Sequence, residues 1–182
     1  MRLFIAITLS ETIKLALQDL QTPLRLRRQR GNFTSFNNLH LTLVFIGECS
    51  IQETEFIESV LEEVKGLPFE LTLGELGNFT KRDGEIWWVG VKPYPHLIKL
   101  QASISKALRE NEISFEDKKY VPHLTLVRNY KASTQETLLL SQSKPLSFKV
   151  NSFSLMKSER FHDELKYTEI AAFNLNPDEK VL

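Results

Sequence analysis

A chain of 182 residues, 42% hydrophobic and 25% charged, has the make-up of a globular protein that buries a core, in one domain or in two lobes sharing one. Its 23 basic residues balance 23 acidic ones, which excludes a global field for nucleic acid or anionic membrane, so any polyanion site has to be local. The single cysteine, Cys49, excludes an internal disulfide and a multi-cysteine zinc site and suits a reducing cytoplasm.

Arg2 to Thr8 alternates as a half-buried strand, with Leu3, Ile5 and Ile7 on one face and Phe4 and Ala6 on the other. Its apolar part, Leu3 to Leu9, is too short for a membrane span and lacks a signal-peptide cleavage pattern, so the chain reads as cytoplasmic with no membrane role. Ser10 and Glu11 open a helix with Ile13, Ala16, Leu17 and Leu20 inward and a break expected at Pro23. Then follow Arg25, Arg27, Arg28 and Arg30, the one dense basic cluster, which reads as a solvated helix end or as a contact for an RNA backbone. After a short apolar stretch, Phe33 to Phe36, comes the strand Leu39 to Gly47. Cys49, beside it, reads as a small buried hydrophobe or loop thiol.

Ser50 starts a second helix, with Phe56, Ile57, Val60, Leu61 and Val64 expected inward and a stop at Gly66 and Pro68. Phe69 to Phe79 and Ile86 to Val91 read as a hairpin around Asp83-Gly84, with Trp87 and Trp88 on opposite faces, one in the core and one free to meet solvent or a base. A third helix, Leu97 to Leu108, presents Leu97, Leu100, Ile104 and Leu108 inward. The order then repeats: an apolar stretch at Ile113 to Phe115, a strand from Tyr120 to Val127, a helix start at Ser133-Thr134, and strands Leu146 to Lys157 and Tyr167 to Phe173, with Asn176 to Leu182 as a tail. The expected fold is α+β: one bilobal domain over 1–182 with duplicated halves, 1–92 and 93–175. Two antiparallel sheets carry helices on their outer faces and meet along a central cleft.

The repeat is sharpest at His40-Leu41-Thr42-Leu43 and His123-Leu124-Thr125-Leu126. On a strand, each copy sends its leucines to the core and its His and Thr to the opposite face. Two imidazoles facing one space supply an acid and a base near neutral pH, and two threonines supply hydroxyls for an anion's oxygens. That is equipment for acid-base chemistry on an anion, although the residues do not say which histidine is which. Structural histidines and a metal site are the rivals; the metal is disfavoured because each copy offers one nitrogen and no adjoining carboxylate. Arg128 follows the second copy and suits a phosphate, but strict alternation from His123 turns it away unless a bulge or strand end intervenes. Phe4 suits either a base platform or core packing. His96 and His162 lack a threonine partner and read as surface or capping residues.

Leu39 to Leu43 and Pro122 to Leu126, with Arg2-Leu3-Phe4 at the start, Phe45-Ile46-Gly47 after the first motif and Arg128 after the second, resemble the two-histidine phosphoesterase superfamily. Within it the likeness is to the bacterial RNA 2′,3′-cyclic phosphodiesterases, originally described as 2′-5′ RNA ligases, and it covers nearly the whole chain. The resemblance implies a metal-independent monomeric enzyme without cofactor or obligate protein partner, acting on RNA ends with a 2′,3′-cyclic phosphate or on cyclic nucleotides. It implies His40 as proton donor, His123 as proton acceptor, and Thr42 and Thr125 as holders of phosphate oxygens. It also implies a terminal 2′-phosphate as product. Ligation of RNA halves through the same histidines, and an RNA-end-binding module without catalysis, are the alternatives.

Overall fold

The computed structural model describes residues 1–27, 30–92, 95–131, 146–162 and 164–176. Nine strands form two antiparallel sheets among these residues. The first sheet has the order β3 (His40–Glu48), β1 (Arg2–Thr8), β8 (Ser152–Phe161) and β9 (Glu164–Asn174). The second has the order β2 (Asn32–Phe33), β6 (His123–Tyr130), β5 (Gly84–Val91), β4 (Phe69–Lys81) and β7 (Ser147–Val150). Each sheet draws strands from both sides of residue 92, so the two lobes are interleaved in sequence. The expected single strand Leu146 to Lys157 is instead two strands in different sheets. The chain leaves β4 and joins β1 at Asn151, whose carbonyl accepts from the Leu175 amide at 2.7 Å.

Helix α1 (Glu11–Leu26) packs on β6, α3 (Pro95–Glu110) on β3, and α2 (Ile51–Glu62) against α3 and β9. The α1 helix runs through Pro23 rather than stopping there. A proline at this position forfeits only the bond to the carbonyl of Asp19, an exposed residue, and Leu24, fully buried, anchors the last turn. Leu20 is partly buried against the core as expected, and Gln21 beside it is fully buried as well. In α2 the inward slot assigned to Phe56 is taken by Thr54, whose hydroxyl donates to the Ser50 carbonyl at 2.7 Å, and Phe56 is exposed. Ser50 and Glu53 close a reciprocal cap at its start. The helix expected at Ser133-Thr134, together with Arg28 and most of the tail, lies outside the described residues.

One contiguous core fills the faces turned toward the helices. It takes Leu3, Ile5 and Ile7 from β1 and all four motif leucines, Leu41, Leu43, Leu124 and Leu126, none more than 3% exposed. Each buried leucine contributes about 2 kcal/mol. Turning either motif histidine inward would expose a pair of leucines, so the orientation of the histidines is set by the core behind them. Phe4, Ala6 and Met156 form a smaller cluster on the other face of the first sheet, and Phe4 lines the cleft.

Candidate active site

The two motif strands carry the same irregularity. Thr42 and Val44 of β3 lie opposite Ala6 and Ile5 of β1, adjacent residues, so Leu43 is one residue extra on its strand. Thr125 and Val127 of β6 lie opposite the adjacent Trp88 and Trp87, so Leu126 is extra in the same way. These are β-bulges. Each buries two consecutive residues, Leu43-Val44 and Leu126-Val127, and brings the next residue round to the cleft. That next residue is Phe45 in the first copy and Arg128 in the second, and both line the cleft cavity. The carbonyl of Leu126, at the bulge, accepts from the Thr34 amide at 2.9 Å and from Gln21 Nε2 at 2.9 Å. The buried amide of Gln21 on α1 therefore stabilises the turn that presents Arg128.

The histidines are held alike. His40 Nδ1 donates to the carbonyl of Asn38 and His123 Nδ1 to that of Val121, each at 2.7 Å. Those bonds fix the neutral tautomer with Nε2 as the acceptor. At His40 the Thr42 hydroxyl donates to Nε2 at 2.9 Å. Two aromatic rings flank each imidazole: Phe4 and Tyr167 at 5.0 and 5.1 Å from His40, and Phe79 and Trp88 at 5.5 and 6.1 Å from His123. Phe4 is 3% exposed and lines the cavity, so its ring packs first against protein. Trp88 lies on the cleft side over Gly77, where a Cβ would stand 2.4 Å from its ring, while Trp87 points away and donates to Glu85 Oε2 at 2.8 Å.

Burial pulls the His40 pKa down to about 4, opposed by the Asn38 carbonyl and reinforced by the charges of Arg128, His123 and Lys14. His123 is lowered as well, first by burial and then by Arg128, again against its backbone hydrogen bond. Both imidazoles are therefore neutral in the free protein near pH 7, and each charge disfavours its neighbour. Arg128 Nη2 reaches Thr125 Oγ1 at 3.4 Å. His40, Thr42 and Arg128 share a cavity of about 440 Å³ with Phe4, Tyr167 and further residues of the first sheet. Among the described residues no group of three or more His, Cys, Asp or Glu is placed to hold a metal ion, and no helix is long and apolar enough to cross a membrane.

Two residues of this site lie outside the strands, Asn38 and Tyr120, the latter because β6 begins at His123 rather than at Tyr120. Asn38, buried at the end of a 3₁₀ turn (Phe36–Asn38), donates through Nδ2 to the Leu165 carbonyl at 2.6 Å and accepts at Oδ1 from the Tyr167 amide at 3.1 Å. Its side chain acts as a peptide unit on the free edge of β9 and fixes Tyr167 against His40. Tyr120 donates to the Thr42 carbonyl at 3.3 Å, tying the approach of β6 to β3. Other candidates lie elsewhere. His96 and His162 are exposed, on α3 and in the β8–β9 turn. The Cys49 thiol has its pKa pushed up by burial, which opposes a nucleophilic role. Arg25 lies 4.1 Å over the Phe33 ring and donates to Gln21 Oε1 at 3.2 Å, and Arg27 and Arg30 are exposed.

The sequence model of the 2′-5′ RNA ligase superfamily matches residues 11–161. The chain belongs to that superfamily. An RNA 2′,3′-cyclic phosphodiesterase of Thermotoga maritima is 31% identical over 163 residues, covering 87% of both chains. Superfamily structures share the fold: Escherichia coli LigT in apo form aligns with a TM-score of 0.79 at 26% identity, and LigT complexed with phosphate with 0.75 at 27%, each covering 96% of both chains. The strands that carry the two His-x-Thr pairs, β3 and β6, touch each other, and of the four motif side chains His40 and Thr42 line the cavity described above.

Proposed function

We propose that this chain hydrolyses the 2′,3′-cyclic phosphate at RNA ends, or on cyclic nucleotides, to a 2′-phosphate, as a metal-independent cytoplasmic monomer with no cofactor and no obligate protein partner. The reading is supported by its relatives, and above all by one observation. Two imidazoles are locked by Nδ1 on backbone carbonyls so that Nε2 of each is the working nitrogen, beside two threonine hydroxyls and a guanidinium.

In this reading the phosphate oxygens lie on Thr42, Thr125 and Arg128, where charge builds in the transition state. Water attacks phosphorus from the second-sheet side and gives its proton to His123 Nε2. The P–O3′ bond breaks in line with the attack, and O3′ takes a proton from His40 Nε2, leaving the phosphate on O2′. The nucleoside of the reacting end lies along Tyr167 and Phe4. His40 is neutral when the site is empty, since its pKa is about 4. The entering anion offsets the Arg128 charge that disfavours imidazolium, so the acid gains its proton together with the substrate.

The test is turnover of an oligonucleotide with a 2′,3′-cyclic phosphate end in the presence of EDTA. Hydrolysis to a monoester is the expected result. Tight binding of that end without turnover, or activity that needs an added divalent ion, would contradict the reading.

A further inference from the structure

A single reacting phosphate diester carries one negative charge, and Arg128 with two threonines is enough to hold it. The same cavity contains two more guanidinium groups, Arg2 and Arg160, neither with an ion pair among the described residues. Its one carboxylate, Glu116, is paired with Lys118. All three guanidinium groups are solvent-exposed, so the positive charge they gather at this cavity is open to a second anion.

The two extra arginines lie together. Arg2 on β1 is directly opposite Ser158 on β8, and Arg160 follows Ser158 by two residues on the same face. The Arg2 guanidinium is held 4.9 Å from the Phe45 ring, the residue that the first bulge turns into the cleft. Arg2 stands two residues from Phe4, about 7 Å along the strand, close to the span of one nucleotide between successive phosphates. With the reacting phosphate on Arg128 and the nucleoside along Tyr167, the terminal nucleotide has one other anionic group, the phosphodiester on its 5′ oxygen.

We infer that Arg2, Arg160 and Ser158 form a second phosphate site that takes the 5′-phosphate of the terminal nucleotide, so that RNA ends are preferred over cyclic nucleotides with a free 5′-hydroxyl. This rests on the hydrolytic reading above. It names no new chemical step, only which end of the substrate the first sheet recognises.

The test compares kcat/KM for one nucleoside 2′,3′-cyclic phosphate with and without a 5′-phosphate. The native protein is expected to favour the 5′-phosphorylated form by roughly 10-fold or more, the scale of charged hydrogen bonds. In the Arg2→Gln/Arg160→Gln double variant that ratio should fall to near one, while Arg160→Lys alone retains part of it. Because the ratio is taken within each variant, a lower folded fraction cancels. A native ratio near one, or a ratio that survives in the double variant, overturns the proposal. Failure of the native protein to turn over either compound overturns the hydrolytic reading instead.

Discussion

The stretches His40 to Phe45 and His123 to Arg128 are two castings of one device, and they differ where their neighbours differ. Both run His-Leu-Thr-Leu-Val, both bulge at the Leu-Val pair, both fix Nδ1 on a carbonyl two residues upstream, and both set two aromatic rings beside the imidazole. The first is the drier and stiffer. Its upstream residue, Asn38, is buried and bonded to β9 at two points, and Thr42 caps His40 Nε2. The second is anchored through Val121, which is 44% exposed. After the bulge the first ends in an aromatic ring and the second in a cation. Repetition supplies two imidazoles in equivalent poses; the surroundings make the first the more buried of the two, and on the proposed reading that side faces the ribose oxygen and the other the incoming water.

The comparison breaks most visibly at the histidines. His40→Ala and His123→Ala should each lower kcat by roughly 100-fold or more, and the double variant should lose less than the product, because acid and base serve one step. Near-native turnover in either single variant, measured on a cyclic-phosphate oligonucleotide, would remove the paired mechanism.

Stability against acid distinguishes the two sides next. A histidine whose pKa is lowered in the folded state binds its proton more readily when unfolded, so the protein loses stability as pH falls from about 6.5 toward the folded value. For His40, with a folded pKa of about 4, that loss amounts to a few kcal/mol by pH 4. Replacing His40 with Asn should flatten the acid limb of a urea-unfolding series more than the same change at His123. An equal or reversed effect would mean that the first side is not the drier one.

The residues after the bulges sharpen the contrast at smaller scale. Arg128→Gln should lower kcat/KM by roughly 10-fold, the cost of a lost charged contact. It should also move both histidine pKa values up, because the Arg128 charge lowers each of them. Phe45→Leu, which removes no charge, should leave both histidine pKa values where they are. An NMR titration of the imidazoles in the two variants reads the difference, and unchanged histidine pKa values in Arg128→Gln would separate the guanidinium from the site.

Much of this was legible in the chain because it is local. The alternation in Arg2 to Thr8, the cap at Ser50, the inward stripe of α3 and the outward face of both His-x-Thr pairs follow from period and neighbours alone. Arg128 was named with a geometric difficulty, and the bulge that resolves it had a signal: the repeat extends one residue further, to Val44 and Val127, so two apolar residues follow one another in both copies. Asn38 and Tyr167 were invisible, since the bond that joins them spans a separation of 129 residues. The slot of Trp88 depends on Gly77, a residue from the neighbouring strand. The division of Leu146 to Lys157 between sheets was missed because both parts have the same alternation, and only the partners differ.

The measurement that tests the two-sided account most directly is the position of bond cleavage. Hydrolysis of a 2′,3′-cyclic phosphate end in oxygen-18 water, followed by phosphorus NMR, reports which ester bond opened and where the solvent oxygen went. With His40 protonating O3′ and His123 activating water opposite it, the product is a 2′-phosphate with a free 3′-hydroxyl and one solvent oxygen on phosphorus. A dominant 3′-phosphate would contradict the account, reversing the nucleotide in the cleft and exchanging the roles of His40 and His123.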